Sequence, residues 1–103
     1  MLTFHSAHHD DQPCLKLKGV LTIYSVAEAR KETPARMAKL KALVLDLSGI
    51  EEMDTSGVQL LLWLKRDATK RGSALALINH SPAVLEVLDL LKLTTAFGDP
   101  ILL

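Results

Sequence analysis

The residue types able to do chemistry are concentrated in Asp54-Thr55-Ser56-Gly57, a carboxylate followed by two hydroxyls and a residue without a side chain. An aspartate in front of a helix accepts from the first free backbone N–H groups, and small hydroxyl residues then fill the first turn. A hydrolytic arrangement takes Ser56 as nucleophile with His80 and Asp46 or Asp54. No Gly-x-Ser-x-Gly elbow is present, however, and a helix start accounts for the Thr-Ser pair. A Gly-x-x-x-x-Gly-Lys-Ser/Thr loop for nucleotide phosphates is also missing. The expectation is a protein that is not an enzyme. His5, His8, His9 and Asp10 carry metal-ligating atoms, but they lie in one polar segment without a second cluster, so solvated side chains, no metal and no cofactor are expected. Cys14 stands alone, without the spacing of a zinc or redox motif.

Of the 103 residues, 49% are hydrophobic and 23% charged, the composition of one globular domain over residues 1–103. Twelve basic and twelve acidic side chains cancel. That balance removes the general attraction for polyanions, so no nucleic-acid partner is expected. The four aromatic residues offer no stacking platform for single strands. Apolar runs reach about five residues, as in Leu60 to Leu64, where a bilayer span takes about 20. The N-terminal residues lack the cationic and apolar segments of a secretory signal. No direct membrane insertion and a cytoplasmic location are expected.

The elements that must position the Asp54 segment follow from periodicity. Leu2 to Phe4 and Cys14 to Val20 read as a hairpin-like strand pair separated by the polar residues His8 to Pro13. Ser25 and Glu28 match a capping box ahead of a helical face of Val26, Ala29, Thr33, Met37 and Leu40, which Pro34 should kink or break. Ala42 to Leu45 reads as a buried strand leaving the sheet at a loop over Asp46 to Gly49. Asp54 opens a helix reaching about Arg71, with Gly72 as its left-handed exit. Ser73 to Ile78 is a further strand, Ser81-Pro82 starts a helix with Val84, Val87, Leu88 and Leu91 on its apolar face, and residues 93–103 are read as a short final strand. Two strand-helix-strand crossovers imply an α/β sheet with helices packed on it.

The stretch Leu43-Val44-Leu45-Asp46-Leu47-Ser48-Gly49-Ile50-Glu51-Glu52-Met53-Asp54-Thr55-Ser56-Gly57-Val58 closely resembles the STAS family, the sulfate transporter and anti-sigma factor antagonist domains. The likeness extends over nearly the whole chain through the order of the later elements, with His80-Ser81-Pro82 opening the last helix. It implies the STAS fold, a small mixed β-sheet of four to five strands with three or more helices packed on it. It also implies an anti-sigma factor antagonist-like function, reversible partner binding switched by phosphorylation. By the resemblance the modified residue is the one directly after the motif's aspartate, Thr55, with Ser56 as second choice. The physics is compatible, because unpaired N–H groups and the positive end of a helix dipole can hold a phosphate of about −1.5 to −2 charges without basic side chains. Gly57 is read as allowing close approach of another protein. In the absence of the family, Asp54 simply caps the helix and Thr55 to Gly57 fill its first turn.

The implied partner is an anti-sigma-type serine/threonine kinase or a related signalling protein, including those of chemotaxis type. Two positions depart from the phosphorylated members. Serine is usual where this chain has Thr55, and many carry an acidic residue after Gly-x-Leu, where Gly19-Val20-Leu21 is followed by Thr22. The threonine is similar to that of the cytoplasmic STAS accessory subunit of phospholipid-transport ABC complexes, which implies an ABC transporter ATPase subunit as the alternative partner.

Placing residues 58–71 at about 100° per position puts Leu60, Leu61, Leu64 and Ala68 on one side and Gln59, Arg66 and Lys70 opposite. Trp63 falls on the polar side, with Leu62 and Val58 at the flank. Tryptophan is enriched among interface anchors. Trp63 therefore joins Asp54, Thr55, Ser56, Gly57 and Val58 as a candidate contact, with packing on a neighbouring helix or on the stems of Arg66 and Lys70 as its other reading.

Overall fold

The computed structural model describes residues 1–92. Strand β1 (Leu2–His9) pairs antiparallel with β2 (Gln12–Leu21), β2 pairs parallel with β3 (Leu43–Met53), and β3 pairs parallel with β4 (Leu75–Ile78). The sheet order is β1-β2-β3-β4. Helix α1 (Val26–Met37) bridges β2 and β3, α2 (Thr55–Lys70) bridges β3 and β4, and α3 (Pro82–Leu90) follows β4. This is the expected mixed sheet with three helices. The strand expected over residues 93–103 lies outside the described residues.

The hairpin is longer than its hydrophobic pattern suggested. Asp10 and Asp11 both adopt positive φ, 50° and 65°, the left-handed pair that a two-residue hairpin loop requires. Pairing therefore continues outward to His9 and Gln12 through residues with no apolar signal.

Strand β3 corrects the sequence reading most. It does not leave the sheet at Asp46 but runs on to Met53. Asp46 pairs with Lys16 and Gly49 with Lys18, then Ile50 pairs with Gly19 and Glu52 with Val20, so β3 carries an extra residue at each of two irregularities. Each bulge shifts the inward-facing set by one position. Alternation is lost over Ser48 to Glu52 although Leu45, Leu47, Ile50 and Met53 all stay buried.

Leu17, Leu45, Leu47 and Leu77 of the sheet pack with Leu61 and Leu64 of α2, Ala29 and Met37 of α1, and Val84 and Leu88 of α3 in one core. Fully burying each leucine is worth about 1.5–3 kcal/mol relative to exposure. Helix α1 runs uninterrupted through Pro34 and ends three residues beyond it; so near the C-terminus, the missing N–H removes a single rung of the ladder. The Ser25–Glu28 capping box does not form. Ser25 instead donates from Oγ to the Val20 carbonyl at 2.6 Å and accepts from the Thr22 N–H at 3.1 Å, tying the turn after β2 to itself. The other helix signals hold: Ser81 Oγ accepts from the Val84 N–H at 3.2 Å, and Gly72 leaves α2 with φ of 80°.

Candidate functional site

Because β3 continues to Met53, one residue alone separates the strand from α2. That residue is Asp54, and it works in two directions. Its Oδ1 accepts from the Gly57 N–H at 3.1 Å, capping α2 as expected. Its Oδ2 accepts from the Ile23 N–H at 3.0 Å, and its own N–H donates to the Leu21 carbonyl at 3.4 Å. One carboxylate thus clamps the start of α2 to the turn that leads from β2 into α1.

The next four residues divide sharply. Thr55 is exposed and Ser56 half-buried. Gly57 is buried against the ends of β2 and β3, where an added Cβ would stand 2.5 Å from the Leu21 carbonyl oxygen and 2.6 Å from Met53 Cγ. Its lack of a side chain serves internal packing, which corrects the expectation that it admits another protein. Val58 is 2% exposed. It belongs to the core rather than the flank of α2, so its side chain is not available as a contact. Helical angle alone missed this because the first turn of α2 lies over the strand ends.

Trp63 sits between the two helices. Its ring is half-buried, packed against the core, and covered by the Arg30 guanidinium at 4.5 Å from the ring centroid. Packing on the neighbouring helix is therefore observed, and the same ring lines an open groove of about 620 Å³ between α1 and α2. Ser56, Gln59, Leu60 and Arg66 line it from α2, and Ile23, Val26, Ala27 and Arg30 from the α1 side. A second hollow has Asp54 in its wall together with Glu51, Glu52 and Glu86.

Ile23 and Tyr24, 61% and 96% exposed, are the contact candidates that the sequence reading passed over. Their signal was an apolar pair directly after a strand and before a helix start, where neither pattern needs it. Asp46, considered for a triad, accepts from the Ser48 N–H at 2.8 Å and from Asn79 Nδ2 at 3.3 Å, within β3 and beside the end of β4. Cys14 is buried on β2, and burial, reinforced by the charge of Asp46 and partly offset by Lys16, pushes its thiol above the ordinary value of 9.0.

Fold and site together define a small mixed-sheet α/β domain with an exposed hydroxyl at a helix start beside an open groove. The profile of the family described as Mlab, STAS domain matches residues 4–103, and the chain belongs to the STAS family. It is 30% identical over 74 residues, 72% of its length, to high affinity sulfate transporter 1 of Stylosanthes hamata. The chain spans about a tenth of the length of the curated relatives it matches. Among solved structures it is similar to an anti-sigma factor antagonist from Mycobacterium paratuberculosis, with a TM-score of 0.75 and 20% identity over 98% of this chain and 85% of that one. Unphosphorylated SpoIIAA, an anti-sigma factor antagonist, gives 0.62 and 19% over 97% and 87%. RsbS of Moorella thermoacetica carrying a serine-to-glutamate change gives 0.67 and 24% over 97% and 86%. These likenesses establish an anti-sigma factor antagonist-like STAS fold. No helix among the described residues is long and apolar enough to cross a membrane.

Proposed function

We propose that this chain is a regulatory docking domain that acts by reversible protein binding around the start of α2, switched by phosphorylation of Thr55, and that it catalyses no reaction itself. The observation that carries the reading is the clamp at Asp54. It ties the start of α2 to the Ile23 turn while Thr55, flanked in sequence by Asp54 of the acidic hollow and Ser56 of the groove, is exposed, so a partner docking at the start of α2 can meet that hydroxyl. A phosphate there adds about −1.5 to −2 charges to a surface that has to be desolvated on binding. The partner in this reading is an anti-sigma-type serine/threonine kinase or a related signalling protein.

The test begins with the protein that co-purifies with the native chain. Incubation with the cognate kinase and ATP should add one phosphate, mapped to Thr55 and abolished in Thr55→Ala with the fold intact. Thr55→Glu should weaken the partner by about tenfold or more, since an uncompensated charge enters the contact. Phosphate mapped to Ser56 would move the switch by one residue. Equal affinity of Thr55→Ala and Thr55→Glu would favour a second reading, unswitched docking on the ATPase subunit of a phospholipid-transport ABC complex. Threonine at position 55 supports that reading, as does the match to the family described as Mlab, STAS domain.

A further inference from the structure

The four arginines of the chain divide into two pairs. Arg36 and Arg71 each have a carboxylate of their own, at Glu32 and Asp67 one helical turn away. Arg30 and Arg66 have no ion pair among the described residues, and both face the groove between α1 and α2. The Arg30 guanidinium carbon lies 4.5 Å from the Trp63 ring centroid, within cation–π range, and both side chains line the groove. No carboxylate lines the groove among the described residues, while Val26, Leu60, Trp63 and the exposed Ile23 supply apolar wall.

From this arrangement we infer that the groove takes a segment of a partner protein in which an apolar side chain is accompanied by a carboxylate, the apolar group against Trp63 and the carboxylate between Arg30 and Arg66. The inference rests on the docking reading above and deepens it by naming the partner's chemistry. A guanidinium fork matches a carboxylate in two parallel hydrogen bonds, and tryptophan and arginine in a partly desolvated pocket are the usual anchors of an interface. The charge layout also orients the segment. Asp54 lines the acidic hollow with Glu51, Glu52 and Glu86, Ser56 lines the arginine groove, and Thr55, between them in sequence, is exposed. A partner crossing this seam runs from acidic residues over the groove to basic ones over the hollow. A phosphate on Thr55 would add about −1.5 to −2 charges next to Ser56 of the groove wall, which connects the switch to the recognised chemistry.

The experiment is selection of displayed random peptides of about 12 residues on the folded protein, followed by synthesis of enriched sequences and of versions with every carboxylate replaced by its amide. Trp63 is the single tryptophan, so its emission reports occupation of the groove. Enriched peptides should combine an aromatic or aliphatic residue with Asp or Glu and should shift Trp63 emission saturably. The amide versions should bind about tenfold more weakly or worse. Arg66→Glu, with its circular dichroism spectrum unchanged, should lose the acidic peptides, and Arg66→Gln should lose part of the affinity. Peptides with their acids changed to lysine should regain binding to Arg66→Glu.

No enrichment, enrichment without carboxylates, undiminished binding to Arg66→Glu, or binding that leaves Trp63 emission unchanged would each overturn the inference. So would concentration-dependent dimers in sedimentation that Arg66→Glu abolishes, because the groove would then be covered by a second copy of this chain. Failure here is separable from failure of the docking reading. A native partner that responds to Thr55→Glu but not to Arg66→Glu removes the groove chemistry alone, and one that responds to neither removes the phosphorylation switch as well.

Discussion

Gly57 looks in the sequence like a residue placed for a visitor, and in the structure it is placed for its neighbours. A methyl group at this position would press on the Leu21 carbonyl, part of a backbone held by Asp54 and unable to retreat as a flexible side chain could. Gly57→Ala is therefore expected to destabilise the fold by about 1–3 kcal/mol despite the better helix propensity of alanine. Chemical denaturation of the variant decides it, and unchanged stability would show that β2 can move aside. Thr55 and Ser56, two adjacent hydroxyls indistinguishable by type, are separated by exposure alone. That difference makes Thr55 the more accessible of the two, and it was not visible before the helix was seated on the sheet.

At the scale of elements, the Asp54 clamp makes the turn into α1 depend on the cap of α2. Asp54→Ala removes both acceptor oxygens and should cost about 1–2 kcal/mol. It should also speed hydrogen exchange at the Ile23 amide, a residue 31 positions away in sequence. Asp54→Asn keeps a side-chain oxygen for one of the two N–H groups and should retain part of the effect. Exchange at Ile23 that is unaltered in Asp54→Ala would show that Ser25 alone holds the turn. The elements most legible from sequence were those announced by local chemistry: Asp54 before α2, Ser81-Pro82 before α3, Gly72 after α2, and the stripe of Leu60, Leu61, Leu64 and Ala68. Those read wrongly needed a partner strand to be understood. The bulges of β3 exist only relative to β2, and the outer half of β1 is specified by the turn at Asp10 and Asp11 rather than by apolar residues. Ile23 and Tyr24 were overlooked for the same reason, since exposure belongs to the assembled surface.

For the whole molecule, Cys14 connects ionisation to global stability. Its thiol is raised above 9.0 in the folded protein, chiefly by burial, so the folded state prefers the protonated form. The stabilisation is full below the unfolded-state value and is lost as pH rises from there through the folded one. Denaturation midpoints should therefore fall more steeply above about pH 9 in the native sequence than in Cys14→Ala, once each is compared with its own value at pH 7. Parallel curves would show that other groups control the alkaline limit.

The sheet order β1-β2-β3-β4 repeats the order of synthesis. As the chain leaves the ribosome, each new strand finds its pairing edge already made, and no strand has to be inserted between two earlier ones. The start of α2 follows the same order, for Leu21 at the end of β2 and Ile23 beyond it are both made before Asp54 arrives to grip them. A nascent chain that has emerged only through α1 lacks the Asp54 clamp, so the surface around the start of α2 is assembled only once β3 and the first turn of α2 are out.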